Sequence, residues 1–285
     1  TPPLRDRLHL TARRIILATG GMALPRTGSD GAGYAFARSL GHTITPHVFP
    51  ALVPLTLPKG HLLSELSGLT FPATLELRTH TGKKIISFTN STLLTHFGLS
   101  GPSVLDISRY YTAHLTDSGG PGSAAPPRLL LNVMPGYTLE SLDTHIAEFG
   151  RSGRSSTILR LLAEHIPDRL ARALASYAQV DPAASVAALP RDKRRRLAAA
   201  LTEFDLPITG DRGFTFAEVT AGGIPLSEIN LATMESRTCP GLHVCGEICD
   251  VDGRIGGFNF QWAWASGYIA GTSAAAALVS VHSGS

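Results

Sequence analysis

The stretch from Gly241 to Gln261, GLHVCGEICDVDGRIGGFNFQ, constrains the fold of this 285-residue chain more than any other. A short apolar run, Leu242 to Cys245, stops at Gly246-Glu247, and the pair Gly256-Gly257 then opens a long helical pattern from about Gly257. A strand that ends in a carboxylate and passes through glycines into a helix belongs in an α/β sheet, where ligands sit beyond the carboxyl ends of the strands. At such an end Glu247 can accept hydrogen bonds from sugar-like hydroxyls. Paired glycines let backbone N–H groups approach a flat ligand closely, and a helix start adds unpaired donors with a partial positive charge. The same pair also serves as a plain helix entry turn, so the motif by itself leaves both readings open.

The opposite end of the chain carries a matching signal. The run Ile15-Ile16-Leu17-Ala18 stops at Thr19-Gly20-Gly21, and a helix-like segment from about Asp30 to Leu40 is closed by Gly41. Between the two ends the periodicity changes twice. Thr74-Leu75-Glu76-Leu77-Arg78 and Lys84-Ile85-Ile86-Ser87-Phe88 alternate about a Thr81-Gly82 turn, which predicts a hairpin. A helix is expected from Ser100-Gly101-Pro102, with Ser100 as its cap, to about His114. After a connector from Gly119 to Pro127, Leu129 to Met134 reads as a buried strand. Residues 138 to 204 read as helices only: Leu139, Leu142, Ile146 and Phe149 keep helical spacing, as do Ile158, Leu161, Leu162 and Ile166. The basic run Arg191 to Arg196 reads as a solvated helix face. Strands return at Phe214 to Val219. The expected architecture is α/β with α+β insertions. Residues 1–50 and 237–285 form a split domain, 51–137 and 206–236 a β-rich domain, and 138–205 a helical subdomain within it.

Composition narrows the function classes. Apolar residues at 43% against charged residues at 16% suit a compact globular chain. A formal charge of +3, from 25 basic and 22 acidic residues, argues against nucleic acid or an anionic membrane as partner and leaves a small molecule. Cys239, Cys245 and Cys249 provide neither a disulfide framework nor two zinc-ligand pairs, so free thiols in a reducing compartment are expected, with no metal. The apolar tail from Phe258 to Val281 is broken by Gln261, Ser266, Gly267, Gly271, Thr272 and Ser273 and falls short of the roughly 20 apolar residues of a membrane span. The opening TPPLRDRLHL has no apolar signal core, which points to a cytoplasmic protein, and the chain reads as though it opens in mid-domain.

A flat, electron-rich group suited to the Gly256-Gly257 helix start is the reduced isoalloxazine ring, negative around its N1 and O2 edge. Five ordered blocks then carry a family resemblance: ATGGMALPRTGSDGAGYAFARSLGH from Ala18, PALVPL from Pro50, THFGLSGPSVLDISR from Thr95, AEVTAGGIPLSEINLATMESR from Ala217, and GLHVCGEICDVDGRIGGFNFQWAWASGYIAG from Gly241. The sequence resembles the YhiN-like family of bacterial NAD(P)/FAD-dependent oxidoreductases, some of whose members are described as aminoacetone oxidases and others as bile-acid-pathway reductases. The resemblance implies a split FAD/NAD(P)-binding Rossmann-like domain with FAD as cofactor and NAD(P)H as a candidate electron donor. It implies that Ala18, Thr19, Gly20 and Gly21 form the loop against the ribityl and phosphate region. Glu247 would hold the ribityl hydroxyls, with Asp250 and Asp252 as flanking candidates. Gly256, Gly257, Phe258, Asn259 and Phe260 would face the flavin pyrimidine edge mostly through main chain. Gln261 and Trp262 continue that helix, Trp262 in a packing role.

One departure from the family pattern is large. The family opens with a strand, G-x-G-x-x-G and an acidic residue for the adenosine ribose, and no such segment precedes Ile15 here. Gly28-Ser29-Asp30-Gly31-Ala32-Gly33 mimics that fingerprint, but no strand immediately precedes it, and it is rejected as the phosphate site. The expected function is FAD-mediated hydride or electron transfer on a small organic substrate, by an amine oxidase or an enoate-type reductase. The alternative is a non-catalytic remnant or partner-binding module that keeps the flavin-facing half. His96, expected just before a helix start, reads either as a proton donor or as a structural turn histidine. Thr220, beside Gly222-Gly223, reads either as a lining of the substrate side of the ring or as part of a turn. Cys245 and Cys249 lack the spacing of flavin disulfide reductases, and a strand-buried Cys245 would be inert.

Overall fold

In the computed structural model, which describes residues 10–117 and 126–279, the chain divides into two units: residues 1–48 with 219–285, and residues 49–218. The signal-free amino terminus and most of the Gly119 to Pro127 connector lie outside the described residues. The first unit opens with β1 (Ile15–Leu17) and α1 (Ala32–Ser39). At the start of α1, Asp30 Oδ1 accepts the Ala32 N–H at 3.0 Å, satisfying one of the donors a helix start leaves over.

The second unit follows with β2 (Phe49–Ala51), β3 (Leu55–Thr56), β4 (Thr70–Arg78), β5 (Lys84–Thr95), β6 (Gly98–Ser100), α2 (Pro102–Asp117) and β7 (Arg128–Asn132). Four helices come next, α3 (Leu139–Arg151), α4 (Ile158–Ala163), α5 (Asp168–Tyr177) and α6 (Arg191–Thr202), and then β8 (Phe204–Leu206) and β9 (Gly210–Asp211). Its sheet is antiparallel in the order β8-β7-β4-β5-β6-β3-β9. The alternation in β4 buries Phe71, Ala73, Leu75 and Leu77, and the register sets Leu75 between Phe88 of β5 and Leu131 of β7. Val104, Ile107 and Tyr111 of α2 join the same core, as do Leu142, Ile146, Leu161, Leu170, Leu174, Leu197 and Leu201 of the helices. Each such Leu or Ile contributes about 1.5–3 kcal/mol on burial, so sheet and helices share one apolar core. A capping box between Thr138 and Ser141 starts α3.

Chain order returns to the first unit with β10 (Val219–Ala221), β11 (Ile229–Asn230), β12 (Glu235–Ser236), β13 (Leu242–Val244) and the long α7 (Phe258–Val279). The sheet order is β1-β13-β12-β11, with β1 parallel to β13 and the other pairs antiparallel. The fold class is α/β, as the sequence suggests.

Several local expectations are corrected. Residues 214–216 form a turn, not a strand, because Gly213 at φ 67° curls the chain and its carbonyl accepts the Phe216 and Ala217 N–H groups. Ser100 ends β6 and does not cap α2; the Gly101 carbonyl accepts from Val104 and Leu105. His96 lies in the two-residue turn between β5 and β6 rather than at a helix start. Residues 219–236, expected in the β-rich domain, group with the first unit because β11 and β12 extend the β1–β13 sheet.

Candidate functional site

The parallel pairing of β1 with β13, Leu17 beside Val244, brings two distant blocks to one sheet edge. Ala18-Thr19-Gly20-Gly21 leaves the carboxyl end of β1, and Cys245-Gly246-Glu247 leaves that of β13, with the Cys245 N–H donating to the Leu17 carbonyl at 3.1 Å. Loops beyond adjacent parallel strand ends are where α/β sheets hold ligands.

Thr220 ties the two loops together. Its Oγ1 accepts the Met22 and Ala23 N–H groups at 2.7 and 2.9 Å, and its own N–H donates to Glu247 Oε1 at 3.0 Å. A Cβ on Gly21 would stand 2.4 Å from Thr220 Oγ1 and 2.8 Å from Glu247 Oε1, so only glycine lets the loop lie this close. Thr220 is fully buried, and its polar atoms are occupied in this hub. Burial pushes the Glu247 carboxyl above its ordinary value, while the hydrogen bonds from the Thr220 hydroxyl and N–H pull it down.

The backbone that carries Glu247 is pinned from α7. Trp262 Nε1–H donates to the Gly246 carbonyl at 3.0 Å, and Ser266 Oγ accepts the Gly246 N–H at 3.0 Å. Trp262 therefore positions the carboxylate loop as well as packing, and Ser266, unmarked in the sequence reading, shares that task. Asp250 is held by its N–H to the Ile224 carbonyl at 2.8 Å. The Asn259 side chain accepts the Gly253 N–H at 2.8 Å and donates to the Gly253 carbonyl at 3.0 Å, closing the loop that leads into α7. Gly256 and Gly257 have φ of 121° and 88°, and a Cβ on Gly257 would meet nothing within 4 Å. Phe258 and Phe260 are 50% and 67% exposed beside this opening, with the Arg254 guanidinium 5.0 Å from the Phe258 ring.

Charge is polarised across these residues. The Tyr34 hydroxyl is buried and has no hydrogen-bond partner among the described residues, and burial together with Glu247, Cys249 and Asp250 drives its ionisation well above the ordinary range. The Glu247 and Asp250 carboxyls add to the burial that raises Tyr34, while the α7 start carries the positive end of a helix dipole. Burial pushes the Cys249 thiol up to about 12, reinforced by Cys245, and raises Cys245 too; all three cysteines are free thiols. His96 is exposed in the second unit, its ring 5.1 Å from that of Phe97. Among the described residues no group of three or more His, Cys, Asp or Glu is placed to hold a metal, and no helix is long and apolar enough to cross a membrane.

The chain is 35% identical over 257 residues to the ribosomal RNA dihydrouridine synthase of Escherichia coli (strain K12), covering 90% of this chain and 59% of that protein. It is 34% identical over 271 residues to the 3-dehydro-bile acid delta(4,6)-reductase of Clostridium scindens, covering 95% and 64%. A ribosomal RNA dihydrouridine synthase of Haemophilus influenzae is 32% identical over 257 residues, covering 90% and 59%. The chain thus spans 59–64% of the length of these curated relatives. The HI0933-like protein Rossmann domain matches residues 4–273, and the chain belongs to that family.

Proposed function

We propose that this chain forms the flavin-facing part of an FAD-dependent reductase that saturates a carbon–carbon double bond conjugated to a carbonyl. The observation that carries the reading is the Glu247 carboxylate, half-buried, hydrogen-bonded to Thr220 and carrying a raised pKa. Burying a charge without a full set of partners is costly, and its unused acceptor capacity suits the hydroxyls of a ribityl chain.

The residues present fit FAD on two further points. The Glu247 and Asp250 carboxyls favour neutral hydroxyls over phosphate, and the α7 start favours an electron-rich ring edge. The open space at the Gly257 Cβ position leaves room for a flat group against the backbone. Bound there, FAD supplies two-electron hydride chemistry, with NAD(P)H as the candidate donor. The protein residues bind and orient: Glu247 accepts hydroxyl hydrogens, Thr220 fixes both Glu247 and the Gly21 loop, Trp262 and Ser266 fix Gly246, and main-chain N–H groups of 257–260 offer donors. Thr220, buried in this hub, is a positioning residue in this reading, not a catalytic one.

The names of the relatives support the reaction class. A dihydrouridine synthase adds two hydrogens to uridine, and a delta(4,6)-reductase acting on a 3-dehydro compound saturates double bonds in conjugation with a ketone. An enone-like substrate is the chemistry these share, which favours the reductase over the amine oxidase. The test uses protein expressed from its complete reading frame. It should purify yellow, release flavin on denaturation and, after anaerobic reduction by NAD(P)H, be reoxidised by a 3-keto-4,6-diene steroid or a uridine-containing ribosomal RNA fragment. A colourless protein would favour the partner-binding module, and oxidation of an amine in place of enone reduction would overturn the reaction class.

A further inference from the structure

The second unit holds an arginine in a setting that the flavin reading does not use. Arg212 Cζ lies 4.3 Å from the ring centroid of Phe97 and 3.8 Å from that of Phe216. The fold builds this cluster. β9 and β6 flank β3, Leu55 pairing with both Asp211 and Leu99, so the residue after β9 is carried to the β5–β6 turn that bears His96 and Phe97. That turn is fixed because Leu57 N–H donates to the Phe97 carbonyl at 3.0 Å and a Cβ on Gly98 would stand 2.3 Å from the Leu55 carbonyl oxygen. On the other side, the Arg212 N–H donates to the Pro54 carbonyl at 3.1 Å, and the Gly213 turn folds Phe216 back over the guanidinium.

Both rings lie within stacking distance of the guanidinium carbon. Among the described residues no carboxylate, carbonyl or hydroxyl accepts from its N–H groups, although the side chain is half-buried. Phe216 remains 47% exposed, held over the guanidinium by cation–π attraction. Stacking restrains the rotamers of a long side chain in advance, so less entropy is lost when its N–H fork meets a ligand. The ligand class matched by a rigid fork of N–H donors is an oxyanion, bound by paired charge-assisted hydrogen bonds. The exposed His96 imidazole lies edge-on to Phe97 in the same turn.

We infer that Arg212, stacked with Phe97 and Phe216, is an anchor for an oxyanion group on a ligand, a phosphate ester or a carboxylate. Binding at this anchor is measurable without turnover; only the choice of probes rests on the enone-reductase reading. Calorimetric titration compares two pairs of probes: uridine 5′-monophosphate with uridine, and a steroid carboxylic acid with its primary amide. In at least one pair the anion should bind roughly tenfold tighter or more, as expected for hydrogen bonds to a charged group. Arg212→Gln should abolish that increment. Arg212→Lys, which keeps the charge but not the planar fork, and Phe216→Leu, which removes one ring face, should each shrink it, and both remain informative if the Gln variant fails to fold. The phosphate pair identifies a nucleotide source and the carboxylate pair an acid source. Equal binding of anion and neutral analogue in both pairs, no binding of any probe, or an increment that survives in Arg212→Gln would each overturn the assignment.

Discussion

The two units bury their side chains on different terms. In residues 49–218 the core is almost wholly aliphatic, with Leu55, Leu75, Leu77, Leu129 and Leu131 fully enclosed between sheet and helices. In the other unit a smaller cluster around Val244 and Ile248 carries Thr220, His42, Ser236, His243 and Ser266 as buried polar groups, among the described residues as many as the far larger core of residues 49–218 holds in Thr92, Ser103, Asp106, Ser108 and Thr202. Some are satisfied completely. Ser236 Oγ accepts the Thr238 and Cys239 N–H groups, which directs its own hydrogen to His42 Nε2, and leaves His42 Nδ1–H for Glu228 at 2.7 Å. Others are not: among the described residues Tyr34 Oη and His243 Nε2 find no partner here, as Ser64 Oγ finds none in the other unit. Aliphatic burial stabilises without direction, whereas polar burial stabilises only when every partner is aligned. The difference teaches that polar burial weighs more heavily in the first unit, where a small apolar cluster surrounds the groups that hold a carboxylate and a glycine loop at a sheet edge, than in the second, where a large aliphatic core outweighs it.

The largest expected effect breaks this contrast from the aliphatic side. Leu131→Ala should cost about 2–5 kcal/mol in urea unfolding and leave flavin affinity of the folded protein unchanged. A matching loss of affinity would mean that the core of the second unit also shapes the cofactor site. Next comes Thr220→Val, which strands the Met22 and Ala23 N–H groups and removes the hydroxyl's hydrogen bond to Glu247 while keeping the backbone one. It should cost about 1–3 kcal/mol and release flavin as well, and a stability loss with wild-type flavin retention would reduce Thr220 to a purely structural role.

A smaller effect depends on pH. The folded-state pKa of Glu247 is raised, so its contribution is fully present below the ordinary carboxyl value of 4.5 and is lost as pH rises through the raised value. Glu247→Gln should therefore match wild type in thermal midpoint in strongly acidic buffer and gain on it towards neutral pH, while retaining less flavin. A midpoint difference independent of pH would contradict this. The smallest effect is chemical: half-exposed Cys239 should react with a thiol reagent well before Cys245 and Cys249, whose thiols burial keeps protonated, and rapid labelling of Cys249 would show the polar unit opening readily.

How much of this is legible in the sequence follows the same division. Glu247 stands out because a strand, a carboxylate and a glycine pair are contiguous, and the β4–β5 hairpin because its alternation is local. Thr220 as a hub is hidden, since Met22, Ala23 and Glu247 meet it only after β1 and β13 pair. Phe214 to Val219 looks like a strand by composition, and the Gly213 turn overrides that pattern. Arg212 carries no local signal at all, because Phe97 reaches it through the pairing of β9, β3 and β6. Side chains that act through long-range register are invisible to periodicity, whereas those that act from a strand end or helix start are not.

The central claim is that the α7 start faces the cofactor, and Gly257→Ala tests it most directly. Gly257 sits at φ 88°, and a Cβ there meets no protein atom within 4 Å, so a substituted methyl group disturbs no neighbour inside the fold. Backbone strain alone should cost about 1–2 kcal/mol. The measurement is flavin occupancy and reduction potential alongside the thermal midpoint, in protein expressed from its complete reading frame. The account predicts a modest drop in midpoint, reduced occupancy, and a negative shift in potential for the flavin that stays bound, because the methyl group separates the anionic reduced ring from the helix terminus. The same drop in midpoint with wild-type occupancy and potential would contradict it, and would place the cofactor away from the segment Gly256 to Phe260.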